Sequence, residues 1–184
     1  SEVTTGLNNT LVGGLAGDAL TTGSYNIAIG HEALTSEDTG SRSVAVGWAA
    51  LKRQNYNGEA LNVAIGHLAG EYITTGLRNT LVGAQAGDSL TTAQYNTAVG
   101  YDALGSETDY GHNVAIGAGA LLGGELADTK DLTFNIAIGD SALDSTGTNA
   151  QLGTVAIGGN ALTALTSGTG NTAIGYQAML DVVE

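Results

Sequence analysis

A five-residue phrase, Asn-x-Ala-Ile-Gly with close variants, recurs ten times along this chain. Clear copies are Asn26-Ile27-Ala28-Ile29-Gly30, Asn62-Val63-Ala64-Ile65-Gly66, Asn113-Val114-Ala115-Ile116-Gly117 and Asn171-Thr172-Ala173-Ile174-Gly175. The closing glycines stand 17, 17, 19, 17, 17, 17, 22, 19 and 17 residues apart. Repeats of this length mean stacked units, each contacting only its neighbours. Three positions after every glycine comes an alanine, followed by Leu, Met or Gly and then a turn of small polar residues. A longer echo joins Thr4–Gly13 to Thr74–Gly83, four coils further on.

The phrase is short, alternating and rich in β-branched residues, and a glycine closes each copy, so it reads as strand. We expect an all-β fold, a parallel β-solenoid of about ten coils with two short strands per coil. At an inter-strand step of about 4.8 Å, ten coils make a rod roughly 45–50 Å long. Alternation places the x and Ile/Val positions on one face and Asn and Ala on the other. The expectation from bulk is that the branched residues fill each coil. The alanine column then lies where a second backbone comes close. The asparagines should form an amide ladder between coils. The glycine marks a corner that needs φ > 0 or no side chain, so Gly66→Val and Gly117→Val should cost more than surface changes.

Composition narrows the function. The chain has no cysteine, which excludes disulfides and thiolate chemistry. Its net charge of −13 excludes a nucleic-acid binder and a protein held on an anionic membrane. No apolar run is long enough for membrane insertion as a helix. The start, Ser1-Glu2-Val3-Thr4, has no signal-peptide pattern. Residues 1–184 therefore read as one repeat domain, a piece of a longer fibrous protein. A thin coil leaves a broad apolar face, and symmetric self-association is the simplest way to cover it.

The phrase resembles the head repeats of trimeric autotransporter adhesins. The form Gly168-Thr169-Gly170-Asn171-Thr172-Ala173-Ile174-Gly175-Tyr176-Gln177-Ala178-Met179 is more similar still to repeats of phage and prophage tail fibres. The resemblance spans residues 4–180. It implies a left-handed parallel roll in a homotrimer, located in the virion as a tail fibre or on a cell surface. Its implied role is to space or present host attachment. The alternative it implies is an adhesin head that binds host glycan or matrix. The basal coil is 17 residues here, against roughly 14 in the adhesin heads, and we expect no basic neck, stalk or anchor of that family within residues 1–184.

No constellation calls for catalysis, so no enzymatic activity, cofactor or metal is expected. His31, Trp48 and His67 follow the repeat glycine in successive coils, and Tyr101 and Tyr176 take the same slot later. They read as an aromatic stack along the rod or the seam, or as a strip where Trp48 and Tyr101 face sugar rings. Two coils separate the histidines by about 9–10 Å, too far for one ion. Tyr25, Tyr95 and Phe134 precede repeat asparagines and read as packing that closes a turn, while His112 reads as solvated. Asp18 and Asp88 hold equivalent places, as turn caps or, less simply, calcium ligands. The remaining carboxylates, Glu37 and Asp38 among them, read as solvated turn residues. Insertions in a solenoid map to loops that often bind. That points to Lys52, Arg53 and Tyr56 in the first long spacing, and to 123–131 in the second. The partners expected are further copies of the chain and, at such sites, a cell-surface glycan or receptor.

Overall fold

A computed structural model of the chain describes residues 4–106, 109, 111–123, 132–144, 151–165 and 168–180. It is an all-β parallel solenoid. Each repeat phrase forms one strand: β1 (Thr10–Val12), β2 (Ile27–Ile29), β3 (Val44–Val46), β4 (Val63–Ile65), β5 (Thr80–Val82), β6 (Thr97–Val99) and β7 (Val114–Ile116). The series continues after β8 (Leu132–Thr133) with β9 (Ile136–Ile138), then β10 (Gln151–Leu152), β11 (Val155–Ile157), β12 (Gly168–Thr169) and β13 (Thr172–Ile174). The ten phrase strands pair in parallel in one sheet, in coil order, with every central residue opposite the next. Between the first strand and the last the chain makes nine turns.

The expected second strand of each coil is a correction. Among the described residues a second sheet exists only as the two-residue β8, β10 and β12 near the end of the rod. Elsewhere the opposite wall is built of turns. The second and fourth residues after each glycine have positive φ, as in Glu32 (59°) and Leu34 (53°), so an extended path is broken twice. Coil-to-coil hydrogen bonds persist without a strand. The N–H of Leu34 donates to Ala50 O at 3.0 Å, and Leu51, Leu104 and Leu143 repeat the bond.

The inside and outside of the coil are also reversed from the expectation. Ala28, Ala45, Ala64, Ala98, Ala115, Ala137 and Ala156, the central strand residues, are fully buried in the core. The Ile and Val residues beside them point outward. The reason lies in the opposite wall, where Leu34, Leu51, Leu104, Leu121, Leu143 and Leu162 are buried at φ of 49–55°. The left-handed bend turns each leucine into the coil, and only a methyl group then fits across from it. The pairing is conserved in volume within the chain. Where the strand centre is leucine, at Leu11 and Leu81, the facing position is glycine. A Cβ at Gly17 would lie 2.8 Å from Leu11, and one at Gly87 2.8 Å from Leu81.

Two columns behave as the repeat predicts. Each asparagine Oδ1 accepts the backbone N–H of the next member of its column, as Asn9 does from Asn26 at 2.9 Å and Asn62 from Asn79 at 2.9 Å. The Nδ2 atoms of Asn9, Asn26, Asn62 and Asn79 each donate to a turn carbonyl 14 residues on, as Asn26 does to Gly40 at 2.8 Å. Asn79 and Asn96 also donate back to the preceding Oδ1, at 3.2 Å. The corner glycines run from Gly13 to Gly175 at φ of 130–145°. The close backbone approach expected at alanine occurs here instead. Gly30 packs directly against Gly47, and so on along the rod.

Candidate functional site

Three surface features follow from this geometry. The first is the outer face of the ten-stranded sheet. Its second column is entirely Ile or Val, and Val12, Ile29, Ile65, Ile116 and Ile174 count among the exposed large apolar residues. Its first column mixes Ile and Val with Thr10, Thr80, Thr97 and Thr172. The result is an aliphatic ribbon along the whole rod.

The second feature is the slot after the glycine. Trp48 and His67 stack with centroids 5.1 Å apart and planes 16° from parallel. This is part of the aromatic stack expected of successive coils; His31, expected in the same stack, is not paired with Trp48. Tyr101 lies three coils beyond Trp48, with Ala84 between His67 and itself, so the two proposed sugar platforms are not brought together. Among the described residues no group of three or more His, Cys, Asp or Glu could hold a metal ion.

The loop residues are engaged with neighbouring coils. Lys52 Nζ lies 2.9 Å from Glu32 Oε2, and the Arg53 guanidinium sits 4.2 Å over the Tyr72 ring. The Tyr56 N–H donates to Glu37 at 3.3 Å. The Lys52 and Arg53 side chains and the Tyr56 main chain knit the insertion to the rod; they do not converge on one point. In the second insertion, residues 124–131 lie outside the described residues.

The third feature was not legible as a site. Tyr25, Tyr95 and Phe134 do not close turns against the core; they are 53, 44 and 60 % exposed. The residue before each asparagine has positive φ, which throws its side chain out onto the surface. There the column forms a ladder. Arg78 lies 5.3 Å over Tyr95, Tyr95 stacks on His112 at 4.8 Å, and His112 on Phe134 at 5.0 Å. His112, expected to be merely solvated, is held between two rings. Beside the ladder runs an open groove of about 420 Å³, lined by Thr75, Thr92, Gln94, Tyr95, Asp109, Gly111 and His112. Signals for it did exist in the sequence, since four of the residues before an asparagine are aromatic or His.

One carboxylate departs from the solvated reading. Glu37 is fully buried, in a column whose other described members are Gln54 and the apolar Leu20, Ile73, Leu90 and Leu165. Its Oε1 accepts Gly40 N–H at 2.8 Å, and its Oε2 accepts Gln54 Nε2 at 2.9 Å. Gln54 also donates to Ser43 Oγ at 2.9 Å and accepts from Asn62 at 2.8 Å. Ser43 is where the repeat asparagine is missing, so Gln54 supplies the amide that its coil lacks.

Burial pushes the Glu37, Asp102 and Asp144 carboxyls up, and it pushes Asp88 up to about 6, with Asp102 nearby adding repulsion. Each binds a proton more readily when folded than when unfolded. The stability this contributes is complete below the ordinary carboxyl range and is lost as pH rises through the raised value. Glu32 and Asp109 are held low, mainly by Lys52 and by the Thr91 hydroxyl, and act oppositely only in stronger acid. We therefore expect the melting temperature to rise on acidification from about pH 7 to about pH 4.5. Asp88→Asn should flatten that rise; a melting temperature that falls over this range in thermal scans would contradict it.

The chain matches no family model, no curated protein and no solved structure. No helix among the described residues is long and apolar enough to cross a membrane.

Proposed function

We propose that the chain is a structural and adhesive repeat module of a homotrimeric fibre. The reading that fits best is a bacteriophage tail fibre in which the rod spaces or presents host-receptor binding. The observation that carries it is the aliphatic ribbon. Ten strands at about 4.8 Å set it along some 45 Å of one face, and contiguous apolar patches of that extent mark interaction surfaces. A ribbon parallel to the rod axis is covered most simply by copies of itself arranged around that axis. The resemblance of the repeats to trimeric fibres chooses three copies. The alanine column is interior and takes no part; the seam is the Ile/Val column. Such a rod has a mechanical role and needs no enzymatic step.

An adhesin head on a bacterial surface, binding host glycan or matrix, is the second reading. The exposed aromatic ladder favours it, because a pure spacer has no need of rings on its surface. Light scattering behind a sizing column tests the shared core of both readings. We expect three times the chain mass of 18.3 kDa. A folded monomer at micromolar concentration would refute the proposal.

A further inference from the structure

We propose that the groove between the Tyr95–His112 ladder and the Thr75–Thr92–Asp109 wall binds a neutral, linear oligosaccharide. The inference concerns one chain and needs no neighbouring copy, so it stands or falls separately from the oligomeric state.

The ladder decides the chemistry of one wall. Tyr95 and His112 lie 4.8 Å apart with planes 15° from parallel, so their ring normals follow the rod axis. Arg78 and His112 cover the two faces of Tyr95, and Tyr95 and Phe134 cover those of His112. The groove is therefore offered ring edges. Edges are the positive rim of the aromatic quadrupole and attract oxygen lone pairs. A cation seeks ring faces, and none is free here.

The opposite wall excludes anions. The Asp109 carboxylate accepts the Thr92 hydroxyl at 2.9 Å and also that of Thr91, which holds it ionised. It repels phosphates and acidic sugars and accepts hydroxyl donors. Gln94, exposed on the floor, adds one amide that both donates and accepts. Gly111 lets its coil pack closely on the Gln94 backbone at the floor, where a Cβ would clash. An extended peptide would want apolar pockets for alternate side chains, and this lining is polar apart from the ring edges. What remains is an uncharged ligand dense in hydroxyls. Thr75, Thr92 and Asp109 follow one another at the coil spacing, as do Arg78, Tyr95 and His112, so the ligand lies along the rod.

The test is an array of neutral and acidic oligosaccharides probed with the intact 184-residue chain. Its oligomeric mass is measured on the same sample, and thermal melts check each variant. We expect neutral glycans to bind. Gln94→Ala and Asp109→Asn, both at exposed positions, should each weaken binding about tenfold or more. Trp48→Ala should leave it unchanged, and in solution the ligand should shift the His112 imidazole resonances. Binding to no neutral glycan, to acidic glycans alone, or with equal strength in both groove variants would overturn the site. So would loss of binding in Trp48→Ala, which would move the site to the other aromatic slot. A trimer that binds no glycan would leave the proposed fibre role standing.

Discussion

Ala115→Glu will unfold the middle of the rod, while Ile116→Glu, one residue on, will leave the coil intact. Ala115 is fully buried between Ala98 and Ala137 of the adjoining strands, with the buried leucines of the turn wall completing the core. A carboxylate there finds neither water nor a partner. Uncompensated buried charges cost about 3–5 kcal/mol, and a methyl-sized site adds overpacking on top. Each coil also stabilises its neighbours, so the damage spreads in both directions. Ile116 is 37 % exposed on the outer face of the sheet, and a glutamate there keeps its water. Circular dichroism should show strand content lost in the first variant and kept in the second. In the second, the proposed trimer should separate, because three glutamates would meet at its seam. A stable, folded Ala115→Glu would mean that the interior lies on the other face after all.

The second large effect separates a steric clash from backbone strain. Gly117 and Gly175 share φ of 135°, so an alanine at either bears the same conformational penalty. They differ in what lies above. A Cβ at Gly117 would sit 2.5 Å from the carbonyl carbon of Gly139, whereas among the described residues one at Gly175 meets only the Ala178 Cβ at 3.9 Å. Gly117→Ala must force two coils apart and break the hydrogen bonds between them. We expect it to cost at least about 4 kcal/mol, in the exceptional range for single changes. Gly175→Ala should cost about 1–3 kcal/mol, the strain alone. A Cβ at Gly66 would likewise sit 2.5 Å from the Gly83 carbonyl carbon, so Gly66 should follow Gly117, and valine should be worse than alanine at both. Melting temperatures of the three variants decide the matter; equal losses at Gly117 and Gly175 would show that stacking is not what demands glycine.

The buried Glu37–Gln54–Ser43 cluster shows where a column-by-column reading loses information. Glu37 falls in a run of polar residues, Ser36-Glu37-Asp38-Thr39, which by composition alone is a solvated turn. Only alignment by distance from the repeat glycine puts it in the slot of Leu20 and Ile73. Apart from Gly40, three residues on, its partners Gln54 and Tyr56 are 17 and 19 residues away, so no local pattern advertises them. The ladder of Arg78, Tyr95, His112 and Phe134 has the same cause. Its members are neighbours only because the coil returns every 17 to 22 residues, and their exposure depends on a positive φ that Tyr, His and Phe do not announce.

The repeat by itself determined the class of fold, the order of the strands, their parallel pairing and their register. A periodic chain that stacks its units has one arrangement in which the asparagine positions meet one another and the closing glycines meet one another, and the amide bonds and glycine contacts reward only that one. It also determined that the corner needs glycine. It could not determine which face of the strand lies inside, because alternation says which residues share a face and is silent on where that face looks. The rule that bulk goes inward failed because this coil is too thin for two layers of large side chains. The tertiary structure decided the question in the opposite wall, where left-handed turns swing leucine into the core and leave room across from it for alanine alone.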